Sequence, residues 1–172
     1  MKLIIINGSP AAGKSTLAQR LHQELPLSLL ADIDSWRRLV SGYRENRKES
    51  LEITYKFAVA AIDAYLQTGH DVIVDKAILG VNDVLDAIVE SGQKYGAEIY
   101  EFVLTADKDV IIQRAAERGF RDAGLLTPEK VVELWDRAQD LIQERPNAVV
   151  IDTNTLDAEA IYKKVKGILL KE

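Results

Sequence analysis

"INGSPAAGKSTLAQRL", residues 6–21, decides how the rest of the chain is read. It places Gly8, four further residues and then Gly13-Lys14-Ser15 directly after the apolar run "KLIII". A strand dense in isoleucine leads into the turn, and a helix with Leu17, Leu21 and Leu25 at four-residue spacing leaves it. In that frame a glycine-rich turn binds phosphate. Glycines let the backbone curl so that successive N–H groups face one anion. The helix that begins near Gly13 adds its positive dipole end. Gly8, Ser9, Ala11, Ala12, Gly13, Lys14, Ser15 and Thr16 are therefore the expected nucleotide contacts. Lys14 is expected to reach the terminal phosphates, and the Ser15 hydroxyl to ligate magnesium.

Working outward, apolar runs alternate with amphipathic stretches. Strands are expected over 2–7, 27–34, 71–79, 98–105 and 147–153. Pro26 stops the first helix, and the polar stretch 42–50 leads to a helix over 51–69 that Gly69 ends. Further helices are expected around 82–95 and over 107–118. Thr127 caps the next one, with Pro128 and Glu129 in its first turn, and Asp157 caps the last. Residues 119–126, with two glycines and no periodicity, read as a mobile loop. The pattern predicts one α/β domain over 1–172, a parallel sheet covered on both faces, with a lid around 114–126. Ligands on such sheets sit beyond the C-terminal strand ends.

Composition narrows the classes. The 172 residues are 47% hydrophobic, enough for one buried core. There is no cysteine, which excludes disulfides and thiolate metal sites, and only two histidines, His22 and His70, which read as surface or capping residues. No apolar run approaches the ~20 residues of a membrane span. The net charge of −5 argues against an extended nucleic-acid surface but leaves room for a local basic pocket. The expectation is a cytoplasmic protein, monomer or homodimer.

Several charged residues fall at strand ends. Asp32 and Asp34, two apart, are read as closing the second strand on one side. Asp34 is the candidate base that orients an acceptor hydroxyl and takes its proton, or else an N-cap for the helix after it. Asp32 is a candidate for magnesium or substrate binding. Asp75 ends "DVIVD", where a carboxylate holds magnesium in phosphoryl transfer; Lys76 could pair with it. Arg114, Arg118 and Arg121 are candidate lid arginines over the γ-phosphate, or a solvated face paired with Glu117 and Asp122. Arg37 and Arg38 could bind a polar or anionic acceptor or have a surface role, and Trp36 could line the acceptor pocket or pack in the core. "RENRKES", residues 44–50, reads as a solvated connector, with an acceptor clamp as the other reading.

"IIINGSPAAGKSTLAQRLHQELP", "LLADIDSW", "DVIVDKAILG" and "VVIDTN" together resemble the chloramphenicol phosphotransferase-like branch of small P-loop kinases. Zeta-toxin-type, gluconate and shikimate kinases are its relatives. The resemblance implies a five-stranded parallel sheet in the order 2-3-1-4-5, ATP with Mg2+, and transfer to a hydroxyl of a small molecule. It puts the catalytic aspartate on Asp34, the Walker-B-like acid on Asp75, and lid arginines in 114–121. It also puts the loop after Asp152 and Thr153 near the adenine. Asp32 and Lys76 depart from the antibiotic-kinase pattern, and residues 36–56 match nothing in it, so chloramphenicol itself is not expected as the acceptor. A kinase acting on a nucleotide, a nucleotide sugar or a nucleic-acid 5′ end is the second reading. An ATP-dependent binding switch is the third.

Overall fold

The computed structural model describes residues 1–120 and 126–170. Five parallel strands, β1 (Lys2–Gly8), β2 (Leu29–Asp32), β3 (Val72–Asp75), β4 (Glu98–Thr105) and β5 (Val149–Asp152), form one sheet in the order β2-β3-β1-β4-β5. This is the expected order.

Side-chain alternation along β1 builds both covering layers. Ile4 and Ile6 face one core, with Leu17 and Leu21 of α1 (Lys14–Glu24), Phe102, and Ile161 and Val165 of the C-terminal helix. Leu3 and Ile5 face the other, with Ile62, Leu66, Leu85 and Ile88. All four β1 residues are at most 1% exposed, which is why this strand reads as an unbroken apolar run.

The remaining helices are α2 (Ile33–Arg37), α3 (Arg47–Leu66), α4 (Asn82–Lys94), α5 (Lys108–Glu117), α6 (Pro128–Glu144) and α7 (Ala158–Leu169). Thr127 caps α6 through Lys130 N, and Asp157 caps α7 through Ala160 N, as expected.

Four boundaries move, in three ways. The strand expected over 27–34 is Leu29–Asp32, because Leu27 takes a left-handed φ of 58° and lies 70% exposed. The runs 71–79 and 147–153 contain four-residue strands, Val72–Asp75 and Val149–Asp152. The third change is α3, which starts at Arg47 and not at residue 51. "RKES" is thus helix, with Ser50 1% exposed, and not a solvated connector.

β1 is central, with β3 on one side and β4 on the other. Chain connections leave β1 in both directions, so its C-terminal end opens the crevice where ligands bind on such sheets.

Candidate active site

The turn from β1 into α1 is locked by close packing. Gly8 has φ 120°, and a Cβ there would lie 2.1 Å from the Leu104 carbonyl oxygen. Only glycine fits. Ser9 N donates to that same oxygen at 2.9 Å, tying the loop to β4. Ala11 (φ 55°) and Gly13 (φ 96°) complete the curl. Inside it, Lys14 Nζ donates to the carbonyls of Gly8 (3.1 Å) and Ser9 (2.6 Å). Desolvation pulls the Lys14 ammonium down to about 8, with Asp75 and Asp34 opposing the shift.

Asp75 sits beside this loop, 6% exposed, in register with Ile6 and Asp32. Burial pushes its carboxyl above the ordinary range; Ser15 and Lys14 act against this, while the charges of Asp32 and Asp34 add to it.

Asp34 and Asp32 have different situations. Asp32 is the N-cap of α2, accepting from Ser35 N (3.0 Å) and Ser35 Oγ (2.6 Å). The expectation that both acids project from one strand is corrected, because α2 begins at Ile33 and strand alternation stops there. Asp32, not Asp34, is the cap, with one oxygen on Ser35 N and the other on Ser35 Oγ, and it is not among the residues lining the larger of the two cavities beside the loop. Asp34 lies within α2 with its carboxylate paired to the Lys76 ammonium. Lys76 therefore meets Asp34 and not Asp75, the partner considered for it from sequence.

Two cavities flank the loop. The first, about 210 Å³, is lined by Ala11, Gly13, Thr16, Arg114, Arg118 and Leu156, among others. Arg114 is pinned there, donating to Thr153 Oγ1 (3.1 Å), Thr153 O (2.8 Å) and Asn154 O (3.3 Å). Thr153 itself is fully buried, and its hydroxyl also donates to Thr105 O. Thr153, expected as a nucleotide contact, meets this cavity through Arg114, and Leu156 of the following loop lines it directly. Arg118 lines the same cavity and its charge is felt at Lys14. Glu117, considered as an arginine partner, accepts from Gln113. Arg121 lies outside the described residues.

The second cavity, about 560 Å³, opens on the other side of Lys14 and Ser15. Asp34, Asp75, Arg37 and Tyr55 line it, together with residues of α6. Arg37 is held by Ser50 Oγ (3.1 Å) and Arg47 O (2.6 Å). Trp36 does not line this cavity; it meets Phe57 edge-on at 5.3 Å. His22 and His70 bond Ser28 and Thr68, away from the site.

Sequence reasoning missed Asn7, whose side chain donates to Ile78 O (2.9 Å) and accepts from Ile78 N (3.1 Å) and Gly8 N (2.8 Å). It ties the phosphate loop to the segment after β3 that carries Lys76. A polar residue closing an isoleucine run was the available signal. Tyr55, Lys130 and Arg137, also on the second cavity, had none, because ordinary helix surfaces carry such residues at the same spacing.

A family model described as an AAA domain matches residues 3–142, and the chain belongs to that family. No curated protein matches. Among solved structures, a candidate kinase from Chloroflexus aurantiacus j-10-fl is similar, with 20% identity and a TM-score of 0.67 over 98% of this chain and 95% of that one. A tunicamycin resistance protein from Deinococcus radiodurans is similar at 16% identity and a TM-score of 0.65, over 98% and 96%. The shared feature is the fold. Among the described residues no helix is long and apolar enough to cross a membrane.

Proposed function

We propose that the protein is an ATP- and Mg2+-dependent kinase that moves the γ-phosphate to a hydroxyl of a small molecule. The observation that carries this reading is the placement of the phosphate loop between two cavities. One leads past Arg114 and Arg118, and the other holds Asp34, Asp75 and Lys14. A switch needs only the first; a second, larger cavity at the phosphate end fits a second substrate.

The nucleotide takes the first cavity, its phosphates within the curl of Gly8–Thr16. Lys14 leaves the loop carbonyls for the phosphate oxygens. Arg118 adds positive charge where negative charge develops in transfer, the part expected from sequence of Arg121 as well. The residues present fit a magnesium ion: the buried Asp75 carboxylate and the Ser15 hydroxyl form a sparse oxygen set, and a dication favours the ionised Asp75 that burial disfavours. Magnesium characteristically takes one or two protein ligands plus phosphate oxygens and water. When bound, it neutralises charge on the phosphates.

Asp34 orients the acceptor hydroxyl and takes its proton. Lys76 holds one oxygen, Oδ1, and thereby fixes the carboxylate for contact through the other. ADP release from Mg-ATP, measured with and without hydroxylated acceptors, tests the reading. Strong stimulation by one class supports it; tight ATP binding with slow turnover that no acceptor raises overturns it.

A further inference from the structure

The second cavity carries far more positive charge than a hydroxyl acceptor alone requires. Besides Lys14 it is lined by Arg37, Arg47, Lys48, Lys76, Lys130 and Arg137. Only Asp34 and Asp75 oppose them among the described lining residues. Seven cations against two carboxylates stand out in a chain whose net charge is −5.

Local pairing does not remove the excess. Lys76 is matched by Asp34. Lys130 and Arg137 share the single carboxylate of Glu133, at 2.8 and 2.7 Å. Arg37 bonds only a hydroxyl and a carbonyl, and Arg47 donates to Arg44 O at 3.4 Å. None of Arg37, Arg47 and Lys48 has a carboxylate partner among the described residues. These three also converge on the start of α3, a helix of 20 residues whose Asn46 N-cap makes no side-chain cap bond. First-turn N–H groups and the helix dipole add to the positive potential there. Glu49 lies in the same turn but not on the cavity wall.

We infer that the acceptor is itself a phosphate ester. Its phosphate sits against Arg37, Arg47 and Lys48, and its free hydroxyl points to Asp34. This rests on the kinase reading and names its substrate class. A dianion matches three unneutralised cations and a helix start better than a single carboxylate does, and guanidinium offers the forked geometry that phosphate accepts. Tyr55 lies between the two ends: burial and the Asp34 charge push its phenol up to about 12, against the opposing charge of Arg37. It therefore remains a neutral hydrogen-bonding group along the acceptor. The transfer balances as a kinase step. The acceptor oxygen bonds the γ-phosphorus as the β,γ-bridging bond breaks, ADP leaves, and the hydroxyl proton passes to Asp34.

The test uses the full chain with Mg-ATP and matched pairs: ribose and ribose 5-phosphate, glucose and glucose 6-phosphate, uridine and UMP, with glucuronate as the single-carboxylate probe. ADP release and thermal shift in saturating Mg-ADP are read for each. A phosphorylated member is expected to raise turnover at concentrations where its neutral partner does nothing. Arg37→Gln and the exposed Lys48→Gln should each raise its KM by about ten- to a hundredfold, the loss expected for a hydrogen bond to a charged group. Both should leave most of kcat. Lys48→Gln guards against misfolding, since its side chain is at the surface. Equal stimulation by neutral partners, or by glucuronate alone, overturns the phosphate pocket and leaves the kinase standing. If phosphorylated members stabilise the protein but none raises ADP release, the pocket stands and the transfer reading falls. Should no phosphorylated member raise either signal, the inference is overturned.

Discussion

The two cavities beside the phosphate loop differ in how much of each wall one short motif supplies. The cavity proposed for the nucleotide takes half of its lining residues from one contiguous stretch, Ala11 to Leu17, with Arg114 and Arg118 added from one helix end and Leu156, Ala158 and Ile161 from the loop and helix after β5. The acceptor-side cavity draws on α2, the start of α3, the segment after β3 and α6, separated by up to about a hundred positions in sequence. A local motif supplies half of the first by backbone geometry, whereas no single stretch dominates the second. The difference teaches that, on the proposed reading, the donor side rests largely on a motif of fixed spacing while the acceptor side rests on residues with no common spacing.

The sharpest way to break this comparison is Asp34→Asn. It is expected to lower transfer by about 10²–10⁴-fold, the usual contribution of a positioned acid or base, while nucleotide affinity stays unchanged. Retention of full activity in steady-state assays would remove Asp34 from the chemistry and with it the division of labour between the cavities. Next comes Lys14→Ala, which sits at the boundary. Loss of a preorganised charge at the transferred phosphate is expected to cost about 10²–10³-fold in kcat, read with the best acceptor at saturation. A change confined to KM would mean that Lys14 serves binding alone.

How much was legible follows the same line. Gly8, Gly13, Lys14 and Ser15 were readable because the phosphate-binding curl demands those residues at fixed spacing. The parallel sheet followed from apolar runs alternating with helices, whereas its strand order is what the family resemblance implied. Asp75 was readable from its place at a strand end, and the structure puts it next to Ser15 and Lys14. Asp32 and Asp34 were misread as a pair because nothing in "ADIDSW" tells where strand geometry gives way to helix. That is settled by Asp32 capping Ser35, a choice made by two hydrogen bonds. Arg47 and Lys48 lie in a polar run whose helical start is set by tertiary packing of α3, with Ser50 buried beneath Arg37. Charge runs look alike on paper whether they face water or a cavity.

A smaller effect sharpens the nucleotide side. Thr153 is assigned here to hold Arg114 in place, with no contact to ligand of its own. Thr153→Val removes the hydroxyl that accepts from Arg114 and donates to Thr105 O. A loss of about 1–3 kcal/mol in stability is expected from the buried groups left unpaired, measured by denaturant unfolding. Arg114→Ala should weaken nucleotide binding, and the double variant should bind no worse than Arg114→Ala alone, because the two residues act as one unit. Additive losses would show that Thr153 reaches the nucleotide independently.

The smallest expected signal is a proton. In the free protein Lys14 titrates near about 8, held below its ordinary 10.5 by desolvation. Polyphosphate beside it favours the ammonium, so binding raises this value again. At pH 7 the lysine is already charged and binding moves almost no proton. At pH 9 it is largely neutral before binding, so the complex must take up a proton as it forms. Calorimetry of Mg-ATP binding at pH 9 in two buffers of different ionisation enthalpy should therefore give different apparent heats, and the same pair at pH 7 should agree. Affinity should fall as pH rises above about 8. The unbound protein should do the reverse: the unfolded chain holds the extra proton between about 8 and 10.5, so this group makes folding more favourable as pH rises through that window. Lys14→Met removes both trends. Proton uptake that survives in that variant would assign the titration to another group and place the free-state charge elsewhere in the loop.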